Sequence, residues 1–166
     1  MKDLLNKISS YNLFNYFLPG IVFVCICKQF TDYNFIQDNN LIGAFLYYFI
    51  GMAISRFGSL FIEPILKKIS FLKFADYKSF VSASQKDEEI ELFSEVNNTY
   101  RTFISLFVIL LLLKLYNHFQ SLWNIPQNVT TITLVIFMLL IFLFSYHKQT
   151  SYIKKRIEVL NSSINA

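Results

Sequence analysis

Arg56 and Glu63 are the side chains whose chemistry most needs a reason, because both fall inside a long apolar stretch. They stand seven residues apart, on the same side of a helix after two turns. Charge at membrane depth is costly enough to mark a functional position by default. The pair fits a pore, a gate or an ion-pair switch. It equally fits Arg56 reaching the inner headgroups on its long stem, or pairing with Glu63 or a neighbouring copy. Pro64 follows Glu63 directly and predicts a kink or an end to the helix. Gly51, Ser55 and Ser59 recur every four residues with Gly58 beside them, a small-residue face on which a second helix can approach closely. That face is the candidate oligomer interface.

A second constellation lies between the apolar blocks. Glu88, Glu91, Glu95 and Asn98 fall at i, i+3, i+7 and i+10, one stripe of a helix. Repeated around an axis by several copies, Glu91, Glu95 and Asn98 would form acidic rings at a pore mouth and favour cations. The plainer reading is a solvated face paired with the basic half of the same connector. That basic half holds Lys67, Lys68, Lys73 and Lys78 among Phe71, Phe74, Tyr77 and Phe80. It suits a phosphate-bearing signal held by charge and stacking, and it suits equally a segment lying on anionic lipid.

Chemistry of other kinds finds few residues to work with. Cys25 and Cys27 lack two further ligands for zinc and read as buried spectators. His118 and His147 each border an apolar block alone, and Lys114 reads as a residue reaching outward to headgroups. The sequence carries no Gly-rich phosphate loop, nucleophile elbow or His-Glu-x-x-His motif. The expectation is a non-enzyme with no catalytic residue, metal or cofactor.

The elements that position these residues follow from composition. Of 166 residues, 54% are apolar, 18% aromatic and only 16% charged, too little polar surface to cover a soluble globule. The apolar residues form four blocks at about 13–30, 41–66, 102–122 and 129–146, each long enough to span lipid. The expected fold is all-α, an integral membrane protein with four transmembrane helices. Pro19-Gly20 predicts a kink or a loosened start to the first. No small-residue cleavage site follows that block, so it reads as a retained helix.

Orientation comes from the flanks. Lys2, Lys7, the connector lysines with Lys86 and Arg101, and Lys148, Lys154, Lys155 and Arg156 put twelve of the fifteen basic residues on one side. Positive residues stay cytoplasmic, so both termini are expected in the cytoplasm of an inner membrane, with Tyr33, Tyr116 and Trp123 in an outer belt. The chain divides into 1–66 (N-terminal segment and two spans), 67–101 (helical connector), 102–146 (two spans) and 147–166 (tail). Ser84 with Asp87 reads as a helix cap. Ile90, Phe93, Val96 and Tyr100 then carry helical spacing into the third span, so one long helix from about residue 85 is expected to extend that span into the cytoplasm.

Four strings, Phe17-Leu18-Pro19-Gly20, Ser55-Arg56-Phe57-Gly58-Ser59-Leu60-Phe61-Ile62-Glu63-Pro64, Phe74-Ala75-Asp76-Tyr77 and Ser94-Glu95-Val96-Asn97-Asn98-Thr99-Tyr100-Arg101, carry a resemblance. The chain resembles small bacterial four-span proteins of anti-phage defence operons, most like the membrane subunit of the Hailong system, with that of Kiwa second. The resemblance implies a homo-oligomeric channel, a tetramer by preference. It would be held closed by an oligonucleotide from a partner nucleotidyltransferase and would depolarise the membrane on release. The leading expectation is thus a cytoplasmically gated pore acting as a defence effector. Its rival is a non-conducting anchor or sensor that recruits a cytoplasmic partner. A small secondary transporter ranks third, since the sequence has neither an internal repeat nor paired broken helices.

Overall fold

Each apolar block forms a helix, the element in which a long apolar segment satisfies its own backbone polar groups. The computed structural model describes residues 12–164. Lys2 and Lys7 of the expected positive flank lie outside the described residues. Helices α1 (Leu13–Phe30), α2 (Asn40–Lys68), α4 (Glu89–Leu122) and α5 (Gln127–Ile164) are long and apolar enough to cross a membrane. A short helix α3 (Tyr77–Ser84) lies between α2 and α4, and there is no strand among the described residues. The long helices alternate in direction. One end of the bundle therefore gathers Glu63, Arg101 and Lys148, and the other gathers Thr31, Gln120 and Thr130.

The two prolines that fall within helices, Pro19 and Pro64, are absorbed without breaking them. A π turn, Leu13–Phe17, precedes Pro19, and a second, Gly58–Ile62, precedes Pro64. The amide of Leu18 reaches back to the Leu13 carbonyl, and that of Glu63 to the Gly58 carbonyl. A proline ring collides with the carbonyl four residues earlier and offers it no hydrogen. Widening the preceding turn makes room for the ring at small cost in hydrogen bonds. The helix does not end at Pro64: it continues to Lys68 through the π turn.

The core belongs to α1, α2 and α4. Phe23, Val24, Cys27, Ile54, Leu106 and Leu110 form one buried cluster, with Leu106 at 0% exposure. α1 and α2 touch backbone to backbone: a Cβ on Gly20 would strike the carbonyl of Tyr47, and one on Gly51 the carbonyl of Tyr16. Asn39 caps α2 by accepting from the amides of Leu41 and Ile42.

α5 is attached differently. Among its described residues only Ile141 is buried, packed with Phe57 and Ile62 of α2. Phe142 stacks on Phe49 at 5.8 Å between ring centres. The helix runs on to Ile164, so the segment read as a tail after residue 146 is helical and continuous with the fourth long helix.

The connector differs from expectation at its centre. Asp76 caps α3 by accepting from the Ser79 amide at 2.8 Å, and the hydroxyl of Ser79 also donates to it. Ser84 ends α3, its hydroxyl donating to the Val81 carbonyl, so it does not start α4. Glu88 is the N-cap residue of α4, and Asp87 before it accepts from the Glu89 amide at 2.9 Å. The long helix is nonetheless present: its 34 residues run about 51 Å at 1.5 Å per residue. α3 packs against both α4 and α5, with Val81 buried and Tyr77 facing Tyr152.

Candidate functional site

At the end of the bundle bearing Glu63, α2, α4 and α5 bring charge into one layer. Glu63 accepts from Arg101 of α4 at 2.6 Å on one carboxylate oxygen and from Lys67 at 2.8 Å on the other. The Glu63 side chain is 11% exposed and Arg101 19%, while Lys67 is 43% exposed. Depriving a buried pair of one partner costs about 3–5 kcal/mol, whereas an exposed pair four residues apart contributes only about 0.3–0.5. The bond between α2 and α4 is therefore the one that holds. Lys148 of α5 donates to the carbonyl and hydroxyl of Ser59 at 2.6 and 2.8 Å.

Arg56 is turned away from Glu63 and donates to the Tyr16 hydroxyl at 3.5 Å. The π turn at Gly58–Ile62 lies between them. Its extra residue rotates Glu63 by about 100° from where a regular helix would carry it. The two charges that share a side in the sequence are thus separated, and Glu63 is delivered to Arg101 instead.

One turn deeper is a buried polar seam. Thr102 Oγ1 lies 2.7 Å from Asn15 Oδ1, 3.1 Å from Ser55 Oγ and 2.8 Å from the Asn98 carbonyl. The Asn15 amide donates to Ser55 at 3.2 Å, closing a link across α1, α2 and α4. Asn15 and Thr102 are wholly buried. Ser105 donates to the Arg101 carbonyl at 2.6 Å and fills the hollow left by Gly58, where a Cβ would strike its hydroxyl.

The acidic stripe leads into this seam. Glu91, Glu95 and Asn98 continue at three- and four-residue spacing to Thr102 and Ser105, so one line of α4 runs from exposed acid to buried hydroxyl. The same line continues through Leu106, Ile109 and Leu113 to Tyr116 and Gln120. There the Tyr33 hydroxyl donates to Gln120 at 2.6 Å, and Asn117 donates to Asp32 at 2.7 Å. Burial, with Tyr116 and Asp32 nearby, pushes the Tyr33 phenol up, so it remains a donor. The opposite face of α4 carries an exposed apolar line, Phe93, Val96, Tyr100, Ile104, Phe107 and Leu111.

The small-residue set is occupied inside the subunit. Gly51 meets α1, Ser55 bonds Asn15 and Thr102, Gly58 meets α4, and Ser59 holds Lys148. Of the connector lysines, Lys67 pairs with Glu63 and sits 4.2 Å over the Phe74 ring. Lys68, Lys73 and Lys78 are exposed, and Lys78 borders a shallow open groove with Tyr77, Lys155 and Glu158. Cys27 is buried beside Thr31, but Cys25 is exposed, which corrects its reading as a buried spectator. Among the described residues no three His, Cys, Asp or Glu gather as a metal set.

Asn15, Thr102, Ser105 and the anchoring role of Lys148 escape a reading by motif. Asn15 carries a detectable signal, an amide within Leu13-Phe14-Asn15-Tyr16-Phe17. Thr102 is one further step along the acidic stripe. Comparison with protein-family models, characterised proteins and solved structures gives no match.

Proposed function

We propose that this chain is the subunit of an oligomeric membrane pore, gated from the cytoplasm and serving as a defence effector that depolarises the inner membrane. The supporting observation is the line on α4 that passes from Glu91 and Glu95 through Asn98 into Thr102 and Ser105. That line is polar at both ends and apolar through Leu106, Ile109 and Leu113, the pattern of a conduit closed by a dewetted constriction. Here it is fastened inward, by Glu63 on Arg101 and by Asn15 and Ser55 on Thr102.

Opening would release these bonds and turn the line toward an axis shared by several copies, with the acids selecting cations. The basic flanks favour a cytoplasmic position for both termini, where an oligonucleotide from a partner nucleotidyltransferase would meet Lys68, Lys73 and Lys78. Homo-oligomer contacts would use the exposed apolar line of α4 and the bare face of α5. Alternating acid on the α4 extension and base on that of α5 (Lys154, Lys155, Arg156) suits head-to-tail pairing in a ring.

Recording from purified protein in planar bilayers is the direct test. Conductance is expected, with Thr102→Val raising open probability and Glu91→Lys with Glu95→Lys reversing cation preference. An oligomer silent under all conditions overturns the pore. The exposed Leu92 and Phe93 on the α4 extension also favour a second reading, a non-conducting anchor that docks a partner there. In that case the charge reversals abolish partner binding and leave membrane potential unchanged.

A further inference from the structure

Among the described residues, the charged layer holds more cations than carboxylates. Arg56, Lys67 and Arg101 each lie within electrostatic reach of Lys148, and among the described residues Glu63 is the carboxylate that bonds Lys67 and Arg101. Lys148 is attracted by Glu63 but repelled by Arg101, Lys67 and Arg56. The hydrogen bonds are also incomplete. The Nε of Arg101 is buried without a partner among the described residues, and the contact of Arg56 to Tyr16 is a long 3.5 Å. Phe74 and Tyr152 lend ring faces to Lys67 and Lys148, which softens their fields without neutralising them.

Excess positive charge in a partly desolvated layer needs an anion. We propose that Arg56, Arg101, Lys67 and Lys148 form a phosphate-binding site, and that its occupant is the headgroup of an anionic lipid. The layer sits where the apolar stretches of α2, α4 and α5 give way to charged residues, which in a membrane-spanning bundle is the depth of lipid phosphates. Basic recesses between spanning helices on the cytoplasmic side hold such headgroups, and planar guanidinium groups match phosphate oxygens in pairs. A bound phosphate would bridge α2, α4 and α5 beside the Glu63 bond and tighten the closed arrangement. The inference rests on the membrane-spanning reading and is independent of conduction.

The test uses full-length protein in a neutral detergent, with phosphatidylglycerol, phosphatidylcholine and soluble glycerol phosphate as probes. Native mass spectrometry counts retained lipid, and thermal unfolding reads protection. Phosphatidylglycerol is expected to protect at concentrations at least tenfold below phosphatidylcholine. The Arg56→Gln, Lys148→Gln double variant loses that preference, Lys148→Arg keeps it, and Lys28→Gln, at the opposite end of the bundle, leaves it intact. Equal protection by both lipids, or an unchanged preference in the double variant, overturns the site. Protection by glycerol phosphate as strong as by lipid overturns the lipid assignment. A double variant that fails to fold is replaced by Arg56→Gln alone, expected to weaken the preference severalfold. Failure of the membrane reading shows separately, as protein that stays monodisperse with no detergent at all.

Discussion

α1, α2 and α4 hold one another by backbone contact, buried polar bonds and a shielded ion pair, whereas α5 is held by Ile141, ring contacts and Lys148 on Ser59. The contrast is one of specificity. Lipid offers apolar side chains nearly the same environment as another helix does, so apolar packing alone defines a position weakly. Polar bonds and glycine crossings have one geometry that works. The three-helix core therefore has a determined arrangement, and α5 is the least firmly positioned of the long helices.

The largest effect is expected at the α1 and α2 crossing. Gly51→Val drives a side chain into the Tyr16 carbonyl, and neither backbone can yield. Loss of monodisperse protein in detergent is the readout, and normal yield would show that the crossing is not fixed. Glu63→Gln comes next. It leaves Arg101 without its anion and should destabilise the protein by about 3 kcal/mol in chemical unfolding, the low end for a broken buried pair.

A matched pair of truncations sharpens the contrast itself. Leu106→Ala in the core should cost about 2–3 kcal/mol, while Leu139→Ala on α5 should change subunit stability by less than about 0.5. Leu106 is 0% exposed and Leu139 64%. A change in oligomer size with Leu139→Ala would identify that face as a contact between copies. Equal destabilisation by the two would erase the distinction between the regions.

The smallest effect lies outside the spans. Hydrogen bonds from Ser79 hold the Asp76 carboxyl below its ordinary value of 3.8. A depressed folded value means the cap contributes above the ordinary carboxylate range and is lost as pH falls through it. Amide exchange in α3 should therefore quicken in acid relative to α4. Asp76→Asn, which keeps a capping oxygen, should remove most of that dependence.

Much of this was legible in the order of residues. The limits of the first apolar block coincide with α1, and those of the second miss α2 by one or two residues. The connector was less so. Ser84 and Asp87 resemble a capping pair, yet Asp76 had already started a helix that Ser84 ends. Local cap patterns compete, and the winner is settled by which apolar residues can be buried, here Val81. The Arg56 and Glu63 pairing failed for a different reason: a regular helical count does not register the π turn that Pro64 induces.

By itself, then, the sequence determined the helical class, the number of long apolar helices, their approximate ends and the concentration of base on one side. Those properties follow from hydropathy and length, which act locally and add along the chain. Only the tertiary structure decided that Glu63 meets Arg101, that the small residues face inward and that the acidic stripe runs into a seam with Asn15 and Ser55. Partners 38 to 87 residues apart are chosen by helix rotation and crossing, and one wide turn redirects every side chain beyond it.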